Sequence, residues 1–175
     1  MWGARRKLPM ADLRALCAKI GLERPQTYIQ SGNLLVDAAG GETALRRLLE
    51  KECAARFGFA VDIIVRTAAE WDGYVAANPF ASDAKAVPKM VHLYLSRDPL
   101  NSGAAKTLAQ RAQSGERIET AGGALWIDYG ANGVARSKLS PTLIDKACGS
   151  PATGRNWNSV LQISKMIEDR ARKKI

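Results

Sequence analysis

The stretch ERIETAGGALWIDYG, residues 116–130, constrains the fold most. Its two alternating runs meet at Gly122-Gly123, a pair that accepts the positive φ angles of a tight hairpin turn. Ile118, Leu125, Ile127 and Tyr129 then share one face, which implies an antiparallel sheet with an apolar side to cover. A second β-prone pair, TYIQSGNLLV, reverses at Ser31-Gly32-Asn33. MVHLYLS alternates Val91, Leu93 and Leu95 against His92 and Tyr94, as a half-buried strand does. VDIIV, just before Arg66, reads as a further buried strand.

The intervening stretches carry helical period. LPMADLRALCAKIGL sets Leu13, Leu16, Cys17 and Ile20 on one face, with Pro9 where a first turn tolerates it and Gly21 at the stop. GGETALRRLLEKECAARFGF does the same with Leu45, Leu48, Leu49 and Cys53, and Gly58 can close it. TAAEWDGYVAANPF is a helix that must end before Pro79. NSGAAKTLAQRAQ, SPTLIDKACG and the run from about Trp157 onward supply three more.

NPFASDAKAVP, residues 78–88, has the composition of a linker, so the expected units are residues 1–80 and 88–175. The first runs helix, strand, strand, helix, strand; the second runs strand, helix, strand, strand, helix, helix. The fold class is α+β, with two tandem ferredoxin-like units of the β-α-β-β-α-β type. The first lacks its opening strand, and the second carries the C-terminal helix. That opening strand belongs in the middle of such a sheet, so its loss leaves neighbours unpaired.

A share of 46% hydrophobic and 25% charged residues marks a folded chain rather than a disordered one. The net charge of +9 attracts anions, which makes nucleic acid, phosphorylated metabolites and anionic membrane surfaces the partner classes to weigh. Part of that charge, Arg5-Arg6-Lys7 and Arg170, Arg172, Lys173 and Lys174, sits at the ends and reads as solvated tails. Cys17, Cys53 and Cys148 form an odd set with no C-x-x-C, beside a single His. This argues against a zinc site and a disulfide framework and points to a reducing cytoplasm. No apolar run approaches the roughly 20 residues of a membrane span. Phosphate-loop and dinucleotide motifs are absent, so no cofactor is expected and no metal.

Three motifs are candidate ligand sites. Gln30, Ser31 and Asn33, around Gly32, could form an anion-binding nest or simply a tight turn. Arg136 and Lys138 flank Ser137 in GVARSKLSP, a combination suited to phosphate or to an exposed loop. In TGRNWNSV, Thr153 or Asn156 can cap the last helix, and Trp157 aligns with Val160, Leu161 and Ile167 on an apolar stripe. Arg155 must either pair with a carboxylate or meet an anion drawn to the helix start. His92 reads as a surface or interface histidine, Tyr28, Tyr94 and Trp126 as packing aromatics able to stack bases, and Asp62, Asp128 and Asp145 as scattered carboxylates. No catalytic residue follows from them.

RKLPMADLRAL, TYIQSGN, VRT with NPF, and RNWNSVL stand in this order along nearly the whole chain and resemble the bacterial family of unknown function DUF1697. The resemblance implies two tandem ferredoxin-like subdomains. Members usually open with a strand and a glycine-rich turn of the type RGINVGG ahead of the basic stretch, and that strand is the one expected to be missing here. Taken together, the expectation is an uncharacterised bacterial binding module that holds an anionic ligand, a phosphate-containing small molecule or nucleic acid, on basic loops. One alternative is an enzyme acting on a small phosphorylated or carboxylated substrate in the groove between subdomains. The other is a protein-interaction domain, forming a homodimer through the incomplete first sheet.

Overall fold

The computed structural model describes residues 8–28 and 32–173. The chain divides into two compact units, Met1–Val65 and Arg66–Ile175. The division falls at Val65 and Arg66 rather than in residues 78–88.

Unit 1 contains α1 (Met10–Lys19), β1 (Glu23–Tyr28), β2 (Asn33–Asp37) and α2 (Glu42–Phe57). Pro9 stands at the N-cap of α1, a position whose N–H has no helical partner anyway, and Gly58 ends α2 in the left-handed region at φ 74°. Leu13, Leu16, Cys17, Leu22, Leu49 and Cys53 form one core, and Leu34, Val36, Leu45, Val61 and Ile63 pack against it. Leu48, expected on the same face, is 37% exposed, because the buried stripe of α2 follows Leu49 and Cys53. β1 and β2 pair antiparallel from Tyr28↔Asn33 to Glu23↔Asp37, so Asn33, expected in the reversal, is already a paired residue of β2.

Residues 61–65 are not a strand. Composition suited them to one, but a strand also needs a hydrogen-bonded neighbour, and the sheet of this unit contains β1 and β2 alone among the described residues. Their apolar side chains still dock on the helices, and the Ile63 N–H reaches Glu50 Oε1 at 3.4 Å.

Unit 2 opens with α3 (Ala68–Ala76) and α4 (Ala81–Ala86). It continues through β3 (Val91–Ser96), α5 (Ala104–Ala109), β4 (Arg117–Ala121), β5 (Ala124–Asp128), α6 (Gly133–Arg136), α7 (Pro141–Cys148), β6 (Ala152–Asn156) and α8 (Trp157–Arg172). Thr67 and Glu70 form a reciprocal capping box on α3. The expected linker is therefore mostly a short helix, and its Phe80 and Ala84 are buried. Arg117 fixes α4 to the sheet by pairing with Asp83 at 2.7 Å and with Asp128, its guanidinium 5.0 Å from the Phe80 ring centroid.

The sheet has the order β4-β5-β3-β6, antiparallel throughout. The first strand of the unit thus runs between the third and the last. β6 was not expected, because Ala-Thr-Gly-Arg-Asn has no apolar alternation. Its place is set by pairing with β3 and by Asp145 Oδ1, which accepts the Ala152 N–H at 2.8 Å. One face of the sheet, with Tyr94, Ile118, Leu125 and Ile127, lies under α5 and α7 through Ala104, Leu108, Ile144, Ala147 and Cys148. On the other face Leu93 pairs with Trp126, whose ring lies 6.0 Å from that of Trp157. α8 crosses there, tied to α3 by Trp71 Nε1 donating to Ser164 Oγ at 3.1 Å. Helices on both faces explain why every residue of β5 is buried, not every second one. On α8 the buried stripe is Val160, Ile163 and Met166, while Leu161, expected among the apolar positions, is 46% exposed. No helix among the described residues is long and apolar enough to cross a membrane.

Gly154 makes the pairing of β3 with β6 possible. It lies opposite Tyr94, and a Cβ at that position would come within 2.5 Å of the Tyr94 ring. Gly73, inside α3, has nothing within 4 Å of its Cβ position. Gly154→Ala is therefore expected to destabilise the protein by about 2 kcal/mol or more through overpacking. Gly73→Ala is expected to stabilise it by about 0.5–1 kcal/mol through helix propensity and unfolded-chain entropy. Urea unfolding of the two variants checks both signs.

Candidate functional site

Asn156 and Arg155 are adjacent but do different things. Asn156 is the N-cap of α8, and its Oδ1 accepts the Ser159 N–H at 3.0 Å, satisfying one of the free donors of the first turn. Arg155 lies on β6 in register with Leu93, on the sheet face crossed by α8. Its guanidinium bends back along its own strand, where Nη1 donates to Thr153 Oγ1 at 2.6 Å and to the Gly154 carbonyl at 2.8 Å. Burial lowers the pKa of this half-buried guanidinium, which nonetheless stays charged at pH 7.

Two further arginines lie at the end of the sheet, next to β3 and β6 in the chain or by hydrogen bond. Arg66 donates from Nε to the Tyr74 hydroxyl at 3.0 Å and from Nη2 to the Ser96 carbonyl at 2.6 Å. Arg97 follows immediately, its N–H donating to the Pro151 carbonyl at 2.8 Å. Thr153 pairs with Leu95, so the anchor points of Arg66 and Arg155 are one strand and one residue apart, about 6 Å by strand geometry. All three side chains are half-buried. Sequence reasoning passed over Arg66 and Arg97. The available signal was position: each ends a strongly apolar run, VDIIV or MVHLYLS.

The other candidates are engaged structurally. Gln30 and Ser31 lie outside the described residues. Asn33 closes the unit 1 hairpin, its Nδ2 donating to the Tyr28 carbonyl at 3.1 Å. His92 is not a surface group: its ring meets the Tyr129 ring edge-on at 5.0 Å, and burial lowers its pKa, leaving it neutral at pH 7. Tyr94 and Tyr129 share a hydroxyl hydrogen bond of 2.7 Å, and Trp126 is fully buried, so neither Tyr94 nor Trp126 offers a face to a base. Asp128 holds Arg117. All three cysteines are buried free thiols, and burial pushes Cys17 and Cys148 up to about 11, which makes them poor nucleophiles. The described residues contain no cluster able to hold a metal ion.

Arg136 and Lys138 are exposed and lie beside β4, the sheet edge opposite β6. Three strand spacings, about 14 Å, separate the two edges, so these residues and Arg155 do not share one recess. Ser137 donates its hydroxyl to Glu116, while Ser114 donates its hydroxyl to the Arg136 carbonyl. Ser137, the residue between Arg136 and Lys138, thus bonds a carboxylate. Slight desolvation raises the Glu116 pKa, but hydrogen bonds from Ser137 and the Ser114 N–H outweigh it and hold the carboxyl below the ordinary range. A depressed folded-state pKa stabilises the fold above the unfolded value near 4.5, and that gain is lost as pH falls through the folded value. Glu116→Gln should therefore be less stable than the parent at pH 7, with the gap closing below pH 4 in thermal melts.

Three comparisons place the chain among known proteins. A family model described as "Protein of unknown function (DUF1697)" matches residues 1–126. The solved structure of conserved bacterial protein SP0830 from Streptococcus pneumoniae is similar at 17% identity and a TM-score of 0.72, covering 95% of this chain and 94% of that one. That likeness supports the mixed α+β fold. No curated protein matches. With 126 of its 175 residues matched, the chain belongs to the DUF1697 family of bacterial proteins of unknown function.

Proposed function

We propose that this protein is a binding module for an anionic ligand, a phosphate-containing small molecule or nucleic acid, and that unit 2 holds it at the β3–β6 side. The carrying observation is the arginine group. Half-buried Arg155 and Arg66 make hydrogen bonds at points about 6 Å apart by strand geometry, to the Thr153 and Tyr74 hydroxyls among others, and half-buried Arg97 follows Ser96, whose carbonyl Arg66 holds. Desolvated guanidiniums bind phosphate oxygens more strongly than solvated lysines do, and their planar forks suit bidentate contact. The net charge of +9 would raise the local concentration of such ligands. Arg136 and Lys138 serve in this reading as an outer basic loop that steers rather than grips. Gln30, Ser31 and Asn33 stay candidates on residue type alone.

We read unit 2 as a ferredoxin-like β-α-β-β-α-β module with α8 added on the open face, and unit 1 as the same succession from its first helix onward. Unit 1, whose sheet has two strands among the described residues, is in this reading the self-association module of the chain. Three buried free thiols suit a reducing cytoplasm.

Titration with pyrophosphate and with a short single-stranded oligonucleotide tests the anion reading. Binding at low salt is expected, falling steeply with ionic strength for the oligonucleotide as counterions are released. Arg155→Gln and Arg97→Gln should each weaken it at least tenfold, and Arg136→Gln should change it less than threefold. Failure of both anions to bind at low salt, or equal binding by folded Arg155→Gln, overturns the assignment.

A further inference from the structure

Among the described residues, the two barest large apolar side chains are Val87, 50% exposed, and Val134, 48% exposed. Both belong to one end of the sheet in unit 2. Val87 closes α4 and opens the turn into β3, while Val134 lies in α6, which follows β5. β3 and β5 are paired neighbours, so the two segments leave the sheet from adjacent strand ends. Met90 joins them. Its N–H donates to the Val87 carbonyl at 3.0 Å, its carbonyl accepts the Tyr129 N–H at 3.0 Å, and its sulfur lies 3.6 Å from where a Gly133 Cβ would stand. Val87, half-buried Met90 and Val134 thus make one apolar step.

The backbone beneath this step is fixed. The Val87 N–H donates to the Asp83 carbonyl at 2.7 Å, and the Pro88 carbonyl accepts the Trp157 N–H at 3.1 Å. On the other side Asn132 Nδ2 donates to the Ser114 carbonyl at 2.9 Å, and the Ser114 hydroxyl holds the Arg136 carbonyl at 3.1 Å. A surface preorganised in this way binds without the cost of ordering a loop.

Around the step the charge is uncompensated. Lys89, Arg136 and Lys138 are exposed, and among the described residues none of them has an ion-pair partner. The carboxylates nearest in the chain are engaged elsewhere: Asp83 and Asp128 hold Arg117, and Glu116 accepts from the Ser137 hydroxyl and the Ser114 N–H.

Chemistry narrows the occupant. A second copy would set its own cations against these, and three side chains fall far short of the roughly 1,200 Å² that a stable interface buries. A bilayer surface is gripped by aromatic and large aliphatic side chains, whereas this step offers two valines and a methionine. Single-stranded nucleic acid needs aromatic platforms for its bases. A short acidic segment carrying an apolar side chain satisfies both properties of the surface at once.

We propose that this end of unit 2 docks an acidic peptide segment of a partner protein, whose carboxylates meet Lys89, Arg136 and Lys138 while an apolar side chain covers Val87, Met90 and Val134. The surface is separate from the β3–β6 anion site, where Arg66 holds the Ser96 carbonyl, because β3 rises about 20 Å from Met90 to Ser96.

Fluorescence anisotropy with a labelled peptide of two leucines set among eight glutamates reads the binding by the full chain. Saturable binding at low salt is expected, and a peptide with serines in place of the leucines should bind at least fivefold more weakly. Val134→Ser and Lys89→Glu, both at exposed positions, should each weaken binding at least fivefold with unchanged circular dichroism. Leu161→Ser, an exposed apolar position on α8, should change it less than twofold. No binding at low salt, equal binding of the serine peptide, or a loss on Arg155→Gln with none on Val134→Ser overturns the proposal. Vesicles of phosphatidylcholine and phosphatidylglycerol in equal parts should leave the protein in the supernatant on sedimentation. Pelleting that Val134→Ser abolishes would assign the step to a membrane surface and overturn the peptide as its occupant.

Discussion

The central strand of unit 2 carries backbone hydrogen bonds on both of its edges, and the rest of that unit is arranged around this fact. β3 pairs with β5 through His92↔Ile127 and with β6 through Tyr94↔Gly154. Its side chains enter a core on each face, so it can be neither shifted nor removed without orphaning two neighbours. A buried N–H or C=O left unpaired costs about 1–3 kcal/mol, and a slip of one residue would exchange Leu93 with Tyr94 between layers that differ in shape. Gly154 is the local concession to this arrangement, since the Tyr94 ring fills the space a side chain would need.

The contrast with unit 1 follows from the same rule. Two helices cover one core there too, and residues 61–65 are as β-prone as any stretch in the protein, yet they stay outside a sheet. Propensity says what a segment tolerates, whereas pairing decides what it becomes. β1 and β2 are the complementary half of that statement, since their pairing with each other is what makes strands of them.

Local signals read well where they were self-sufficient. The Gly122-Gly123 turn shows the positive φ angles of 60° and 77° that a glycine pair permits. Ser140 caps α7 through the Leu143 N–H, and Gly149 closes it in the left-handed region. The Asn156 cap was one of two options that residue type allowed, and the structure selects it over Thr153, whose hydroxyl faces Arg155 instead. What sequence could not show depended on distant partners. β6 has no alternation because its burial comes from β3 and α8, and α4 looked like a linker because its stretch hides few apolar residues, Phe80 and Ala84. The candidate site divided for a similar reason: Arg136 and Arg155 are 19 positions apart in the chain and at opposite edges of one sheet, while Arg66 and Arg155, 89 apart, bond to the adjacent strands β3 and β6.

Hydrogen exchange resolved by residue tests the claim that strand pairing, rather than composition, sets the order of this molecule. The amides of Leu93 and Tyr94 should exchange only through global unfolding of unit 2, at least about a hundredfold more slowly than those of Ile63 and Ile64, which open locally. Equal protection of the two segments would mean that residues 61–65 are held in a sheet after all, and the account of both units would fail.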